Sequence, residues 1–464
     1  MSLETVNNLK NAAKKPYLLF CTTAASGHFY PVLQIAEYMI QQGFEATIIA
    51  ADAHRRHVTS IGAQHVALPP FAPSAESLAR RKELRTGFDA MVWGLTEVVV
   101  KRLPLYHQTV FDTLGALRRD MPGQQIIIMQ DVVFMGANPF TSGAPLPDGF
   151  KVRPAIININ VVPLQGYSID VGPFGLGLPP VSTESGRDRN KALYWHYNND
   201  EGPFASFRRG YHQTMESLGA TMTDPTVDAF TAATLSADVT LQACSPSMEF
   251  PRSDLPSTVK FIGCLPCKSL PANYQYPEWW DGVVKTLGSE RKKIIGVAQG
   301  TVALDYQHLI MPTIVGLADR DDVVVIAVLG VKGASLPDGF EVPTNAKVVD
   351  FLAYEALLPH TEVWVTNAGY GGFTQGVMHG VPMVFCGDTE DKADVSIRGE
   401  WAGVGYNCKT GRPTPEQIAR GVDEVLSNSK YKERVMEIRK ENEGMESLKA
   451  LEKHVWNFAG RVEM

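Results

Sequence analysis

The chain has 464 residues, 44% hydrophobic and 20% charged, with a formal net charge of −7; this is a globular composition too long for one ordinary core, so two or three domains are expected. The net acidity leaves no electrostatic footprint for nucleic acid, and no Lys/Arg run is long enough to suit an anionic membrane surface. No apolar run is long enough to span a bilayer, which excludes an integral membrane segment as an expectation.

The N-terminal MSLETVNNLKNAAKK is polar and of mixed charge, without the apolar stretch of a secretory signal, so a cytoplasmic location is expected. Six scattered cysteines, Cys21, Cys244, Cys264, Cys267, Cys386 and Cys408, fit reduced thiols. The one C-x-x-C, Cys264 to Cys267, encloses a proline and has no second pair, so no metal site is expected.

From Pro16 strand and helix alternate: PYLLFCTT, PVLQIAEYMIQQ, ATIIAA, a helical stretch ending at Gly62, then HVALPP. Such alternation predicts a parallel sheet with helices on both faces. In the first helix Val32, Ile35, Ala36, Met39 and Ile40 form one apolar stripe, with Pro31 suited to its first turn and Gly43 to its stop. Ser74 to Asp120 reads as helix, carrying Phe88, Met91, Val92, Trp93 and Leu95 among charges. QIIIM predicts a buried strand ending near Asp131, and AIININVV another. Pro163 to Gly202 is rich in Gly and Pro and reads as a long irregular loop, a kind of segment that in compact proteins is usually functional or mobile.

The stretch FPRSDLPSTVKFIGCLPCKSLPANYQYPEWW has the Pro-rich, aromatic composition of an interdomain linker. A second alternation then begins near Lys292: KKIIGVAQG, a helical stretch from about Tyr306, VVVIAVLG, AKVVDFL, EVWVTN, a helix and VPMVF. The charged segment from Tyr431 has helical spacing and would be free to pack back across the first domain. The expected organisation is α/β: two facing Rossmann-like, doubly wound domains at 1–250 and 286–440, a linker at 251–285 and a terminal helix at 441–464. Two such domains turn their strand C-terminal ends toward one cleft, where doubly wound sheets bind ligands.

Four groups of residues fall at those ends. His28, in AASGHFYP, follows the first strand beside a helix N-terminus whose positive field tends to keep an imidazole neutral, as a general base requires. Asp131 ends a strand of the same sheet and could orient that imidazole; on the residues alone a histidine at a turn is more often structural, and a helix-capping aspartate is as open as a pairing one. In VTNAGYGGFTQGVMHGVPMVF, Gly369, Gly371 and Gly372 leave the backbone bare where a helix opens, so an anion can approach its free N–H groups. Glu390, Asp391 and Lys392 follow the strand VPMVF, where acidic groups can accept hydrogen bonds from a polyol or simply form a solvated loop. Asp319-Arg320-Asp321-Asp322 looks like a metal-holding D-x-D, but it precedes its strand and so lies at the wrong end of a parallel sheet; a turn is expected there.

Together these residues resemble the UDP-glycosyltransferase family, inverting enzymes of the GT-B fold that act on small lipophilic acceptors. The likeness runs from Pro16 over nearly the whole chain and is most specific in SGHFYPVLQIAEYMIQQGFEATIIAADAHRRHVTSIGAQHVALP, PFGLGLPP, MEFPRSDLPSTVKFIG, VAQGT and VVDFLAYEALLPHTEVWVTNAGYGGFTQGVMHGVPMVFCGDTEDKADV. The last is most similar to the bacterial and fungal branch that glycosylates polyketides, sterols, phenolics or glycolipids. The resemblance implies a metal-independent transfer of a hexose, with glucose from UDP-glucose as the first expectation, to an acceptor hydroxyl. The nucleotide sugar is a co-substrate, and no cofactor is implied.

It further implies that His28 deprotonates the acceptor with Asp131 as its partner, that Gly27 and Thr301 lie at the donor, and that Phe351 stacks on the nucleobase while the backbone from Leu352 reads its edge. Asn367, Gly369, Gly371 and Gly372 would take the diphosphate, Gln375 the ribose, and Glu390, Asp391 and Lys392 the sugar hydroxyls. Phe29, Trp93, Phe134 and Met135 are expected near the acceptor. Asn367, Tyr370, Gln375 and Lys392 replace the family's commoner His, Trp, Glu and Gln, which leaves uridine or thymidine diphosphate, and glucose or another hexose, both open. The rival readings are a nucleotide-sugar epimerase and a non-catalytic nucleotide-sugar-binding protein; a nicotinamide dehydrogenase is disfavoured, because no G-x-G-x-x-G follows the first strand.

Overall fold

The computed structural model describes residues 14–84, 87–284, 292–300 and 303–460. The first sheet contains β1 (Tyr17–Cys21), β2 (Ala46–Ala51), β3 (Gln64–Leu68), β4 (Ile126–Asp131), β5 (Ala155–Asn160), β6 (Val239–Gln242) and β7 (Val259–Phe261), in the spatial order β3-β2-β1-β4-β5-β6-β7. The second contains β8 (Lys293–Ala298), β9 (Val323–Val328), β10 (Ala346–Val349), β11 (Val363–Thr366), β12 (Met383–Phe385) and β13 (Gly405–Asn407), ordered β10-β9-β8-β11-β12-β13. All pairings are parallel, among them Leu18↔Ala46, Cys21↔Gln130, Thr366↔Ala298 and Phe385↔Asn407. Central strands such as YLLFC and VWVT are buried along their whole length, because helices cover both sheet faces. The expected α/β architecture of two doubly wound domains is the one observed.

The first helix, α1 (Ser26–Gln41), buries Val32, Ile35, Ala36 and Met39 against β1 and β2, as its stripe predicts. It starts earlier than expected, at Ser26, so Pro31 stands inside the helix rather than in its first turn. The proline is tolerated because the carbonyl that loses its donor belongs to Gly27, which is exposed to water. The helical region from Ser74 is broken into Ala75–Glu83, Gly87–Trp93, a π-helical Gly94–Val100 and α2 (Lys101–Asp120).

Two further expectations are corrected. The stretch from Pro163 to Gly202 is not irregular throughout: Glu184–Asn198 is helical, started by Thr183, whose hydroxyl accepts the Gly186 N–H at 3.2 Å. The part before it is pinned by Asp170, which accepts from Ser253 N at 2.6 Å and Arg187 Nε at 2.8 Å. The stretch expected as linker is not all linker either, since β7 hydrogen-bonds beside β6 at the first sheet's edge.

In the second half, α3 (Tyr370–Met378) follows β11 and α4 (Lys392–Trp401) follows the loop after β12. The final helix, α5 (Ser447–Phe458), returns to the first sheet, where Leu451, Val455 and Trp456 join the core around Leu18 and Val32. Gln125 Nε2 donates to the Phe458 carbonyl at 2.7 Å and ties its end. The preceding helix, Ser429–Gly444, stays on the second domain, with Val435 and Ile438 among its core residues, so only the last turns of the charged tail cross over.

The two domains also meet through buried charge. Arg398 of α4 donates from Nε to Glu249 at 2.7 Å, from Nη1 to Asp394 at 3.2 Å and from Nη2 to the Leu164 carbonyl at 3.2 Å. Glu249 also accepts the Leu164 N–H at 2.8 Å, and Asp394 accepts that of Gly175 at 2.5 Å. Among the described residues no helix is long and apolar enough to cross a membrane. Asp319 to Asp322 precedes β9 and forms the expected turn, with Arg320 bound to Asp322 and Asp423 at the sheet end away from the cleft.

Candidate active site

Strand order reverses between β1 and β4 in the first sheet, and between β8 and β11 in the second. At such a reversal the connections leave in opposite directions and open a crevice beyond the strand ends. His28 lies after β1 and Asp131 ends β4, so the first crevice holds both. Their contact is direct: His28 Nδ1 is 3.0 Å from Asp131 Oδ1 and 2.9 Å from Oδ2.

Asp131 has no solvent exposure, while the His28 side chain keeps 21%. One carboxylate oxygen also accepts the Val133 N–H at 3.3 Å, a local turn contact; the next helix begins only at Asn138 with Ala137 as its N-cap, so Asp131 is not a helix cap. Burial alone would lower the His28 pKa, and Arg102 lowers it further, but the charge and hydrogen bond of Asp131, with the charge of Asp391, leave it above the ordinary histidine value. Position beside a helix N-terminus predicts a lowered value; the pairing with Asp131 raises it instead. Because Nδ1 is held by Asp131, Nε2 is the nitrogen left to exchange a proton.

The second crevice lies beyond β8 and β11. Gln299, next after β8, accepts through its backbone carbonyl a 2.7 Å hydrogen bond from Asn367 Nδ2, next after β11. Gly369 is the N-cap of α3, without any side chain capping the free N–H groups that follow. A Cβ at Gly371 would meet nothing within 4 Å, whereas one at Gly372 would stand a tight 3.3 Å from Thr366 Oγ1. The protein's own packing therefore does not require glycine at 371. The left-handed residue of this turn is instead Ala368, with φ 61°.

Met135 (φ 59°) and Glu390 (φ 48°) are likewise non-glycine residues in the left-handed region, each in a loop at a strand's carboxyl end. Such conformations cost about 1 kcal/mol each and gather where side chains must be aimed. The Gln375 amide oxygen is buried without a partner among the described residues. Phe351 exposes its ring, with Lys332 Nζ 5.6 Å from its centre, while Leu352 is buried. Thr301 lies outside the described residues.

The loop after β12 closes the site. Lys392 contacts Glu390 and donates to Thr389 at 3.2 Å. Burial and neighbouring Glu390 raise the Asp391 pKa against the opposing pull of Lys392 and His28. Asp391 of the second domain and His28 of the first are thus near enough for each to act on the other's charge. The segment before Trp93 reaches the same loop: a Cβ on Gly87 would stand 2.7 Å from the Asp388 carbonyl.

The acceptor expectations fare differently. Phe29 has no exposed surface and stacks on His54 at 3.8 Å inside the first core. Phe134 is 1% exposed and stacks on Tyr106 at 4.7 Å, and Met135 is 4% exposed. These three are packing residues in this structure, and of the four only Trp93 keeps open surface, its indole N–H donating to Ser77 Oγ at 3.1 Å. Gly27 is exposed in the first turn of α1.

Two contacts escaped sequence reasoning. Gln299 directly follows an apolar strand, and that polar stop was the available signal. Tyr370, whose hydroxyl accepts from Gln242 Nε2 at 3.0 Å, seats α3 against the first domain, a contact over 128 positions that no local pattern announces.

Comparison with known proteins bears on the fold and the family. Residues 313–448 match the family described as erythromycin biosynthesis protein CIII-like, C-terminal domain. The chain is 39% identical over 437 residues to UDP-glucosyltransferase 1 of Beauveria bassiana (strain ARSEF 2860), covering 94% of each chain. It is 36% identical to UDP-glucosyltransferase A1 of Starmerella bombicola, covering 97% of this chain and 93% of the other. The crystal structure of the glycotransferase of kitacinnamycin has the same fold, with a TM-score of 0.69 at 18% identity, over 96% of this chain and 100% of that one.

Proposed function

The chain belongs to the UDP-glycosyltransferase family, and we propose that it transfers a hexose, glucose from UDP-glucose in the first instance, to a hydroxyl of a small lipophilic acceptor. The observation that carries the reading is the His28–Asp131 pair at one strand reversal, with an uncapped helix N-terminus beyond the other.

In this reading the first domain takes the acceptor and the second the donor. His28 Nε2 accepts the proton of the acceptor hydroxyl as its oxygen bonds to the anomeric carbon. The bond from that carbon to the diphosphate breaks on the opposite face, so configuration inverts. Asp131 stabilises the imidazolium that forms. The departing diphosphate is met by the N–H groups opening α3 and the positive end of its dipole, which requires no metal. Phe351 offers a face for the base, Gln375 an unsatisfied amide oxygen for a ribose hydroxyl, and Asp391 with Lys392 the groups for the sugar. Asn367 has one amide N–H committed to Gln299, so its second is the one available to a phosphate oxygen.

The direct test is a thermal titration with UDP, dTDP and NAD in EDTA. Ligand at a hundred times its dissociation constant stabilises by about 2.7 kcal/mol, several degrees in the midpoint, and UDP is expected to give that shift while NAD gives none. Gly371→Ala sharpens it. An alanine there meets no neighbour and gains up to about 1 kcal/mol of helix propensity, so the unliganded midpoint should hold or rise while UDP affinity falls about tenfold or more through crowding of the anion. Unchanged UDP binding in this variant would remove the phosphate from that turn.

A second expectation concerns pH. A base must be unprotonated, so kcat/KM should fall as pH drops through the raised His28 value, placing the acid limb above pH 6.5. Asp131→Asn removes the charge that raises it, and the limb should move to lower pH while the plateau rate also falls. A limb that stays put in Asp131→Asn assigns it to another group.

A further inference from the structure

Most partly buried arginines in this protein meet a carboxylate: Arg153 pairs with Asp238, Arg187 with Asp170, Arg208 with Asp200 and Arg398 with Glu249. Lys101, the first residue of α2, is also paired, with Glu97 at 2.7 Å. Its neighbour Arg102 forms no ion pair among the described residues, and its Nε is buried without a hydrogen-bond partner. It is only partly exposed, with the guanidinium 5.1 Å from the centre of the Tyr106 ring and hydrogen-bonded to that side chain, a neutral partner rather than an anion. Tyr106 in turn stacks on Phe134 at 4.7 Å, and the Phe134 N–H donates to the Asp131 carbonyl at 2.9 Å. The unpaired cation therefore stands one aromatic stack from the catalytic pair, on the acceptor side of the cleft. Its charge reaches His28, whose basicity it depresses.

A cation held half out of water without an anion is costly, and the cost falls when an anion is supplied. A purely apolar acceptor would bury Arg102 further with no anion, only the Tyr106 hydroxyl, to meet it. We propose that Arg102 is a specificity-determining residue, and that the acceptor is an amphiphilic hydroxy acid whose carboxylate pairs with Arg102 while its hydroxyl lies at His28. The inference rests on the transferase reading and narrows its acceptor class. The planar guanidinium presents a fork of donors matched to two carboxylate oxygens, which fixes the acceptor's orientation as well as its charge. Pairing also neutralises the field that depresses His28, so acid binding strengthens the base that acts on the same molecule.

The test compares matched acceptors, 4-hydroxybenzoate and 4-hydroxycinnamate against their methyl esters, with UDP-glucose as donor, in the native protein and in Arg102→Gln and Arg102→Lys. UDP release gives kcat/KM, and quenching of tryptophan fluorescence gives affinity where turnover is slow. The native protein should favour the acids, and Arg102→Gln should lower their kcat/KM and affinity by about 10- to 100-fold, the worth of a hydrogen bond to a charged group. The esters should change by less than about threefold, and Arg102→Lys should retain part of the preference by charge alone. Equal handling of acid and ester by the native protein, binding of no acid, or an equal loss for both in Arg102→Gln overturns the proposal. Failure of the underlying reading looks different: UDP neither binds nor is released with any acceptor.

Discussion

His28→Ala is expected to lower kcat by about 10²–10⁴-fold, the span typical of a lost general base, while UDP affinity stays within about twofold of the native value. The expectation follows from the division of labour across the cleft. The imidazole sits on the first domain, bound to Asp131 through Nδ1, and makes no hydrogen bond to the turn that opens α3. Truncation leaves the Asp131 carboxylate buried, holding only the Val133 N–H at 3.3 Å, so some loss of stability is expected too. UDP binding, followed in parallel by thermal shift, separates that loss from the chemical one. Solvent has no comparable base at neutral pH, and the missing step is uncatalysed removal of the hydroxyl proton. A fall in kcat of less than tenfold would mean that another group takes the proton; a parallel loss of UDP binding would mean that His28 supports the donor side.

Arg398→Ala should be the most destabilising single substitution in the interdomain contact, costing about 3–5 kcal/mol, the range for breaking a buried ion pair from one side. Arg398 and Glu249 are each 1% exposed, and Asp394 is 6% exposed, so alanine would strand two carboxylates in a region that water barely reaches. It also empties the space over Phe250, where the guanidinium lies 4.3 Å from the ring. Two signatures identify the cause. The stranded carboxyls would have folded pKa values above their unfolded ones, so protonation relieves them and the deficit should shrink as pH falls from neutral through those raised values. Adding Glu249→Gln should recover part of the loss, since a neutral amide oxygen can still accept the Leu164 N–H. Urea midpoints for the single and double variants check both, and a loss under about 1 kcal/mol in Arg398→Ala would show that water or rearrangement satisfies the carboxylates.

Much of the fold was legible. Runs such as YLLFC, ATIIAA and VVVIAV are apolar without alternation because helices cover both faces, and that is why they read as buried parallel strands. Local chemistry misled in smaller ways. Proline at position 31 suggested a helix start, yet an exposed glycine four residues earlier lets the helix begin sooner. The glycines 369, 371 and 372 drew attention to this turn, yet its left-handed residue is Ala368. Phe29 and Phe134 were placed at the acceptor because they are apolar and close to His28 and Asp131 in sequence; an apolar side chain reads the same whether it fills a core or lines a pocket.

By itself the sequence determined the alternation of strands and helices, the two doubly wound halves, and the strand-end positions of His28, Asp131 and the turn before α3, because each depends on periodicity and neighbours a few residues apart. Only the tertiary structure decided that β1 lies beside β4 and β8 beside β11, that His28 and Asp131 touch across 103 positions and Arg398 and Glu249 across 149, and that Arg102 Nε is buried without a hydrogen-bond partner among the described residues. Those are facts of distance and desolvation between groups far apart in the chain, and no local pattern of residues encodes them.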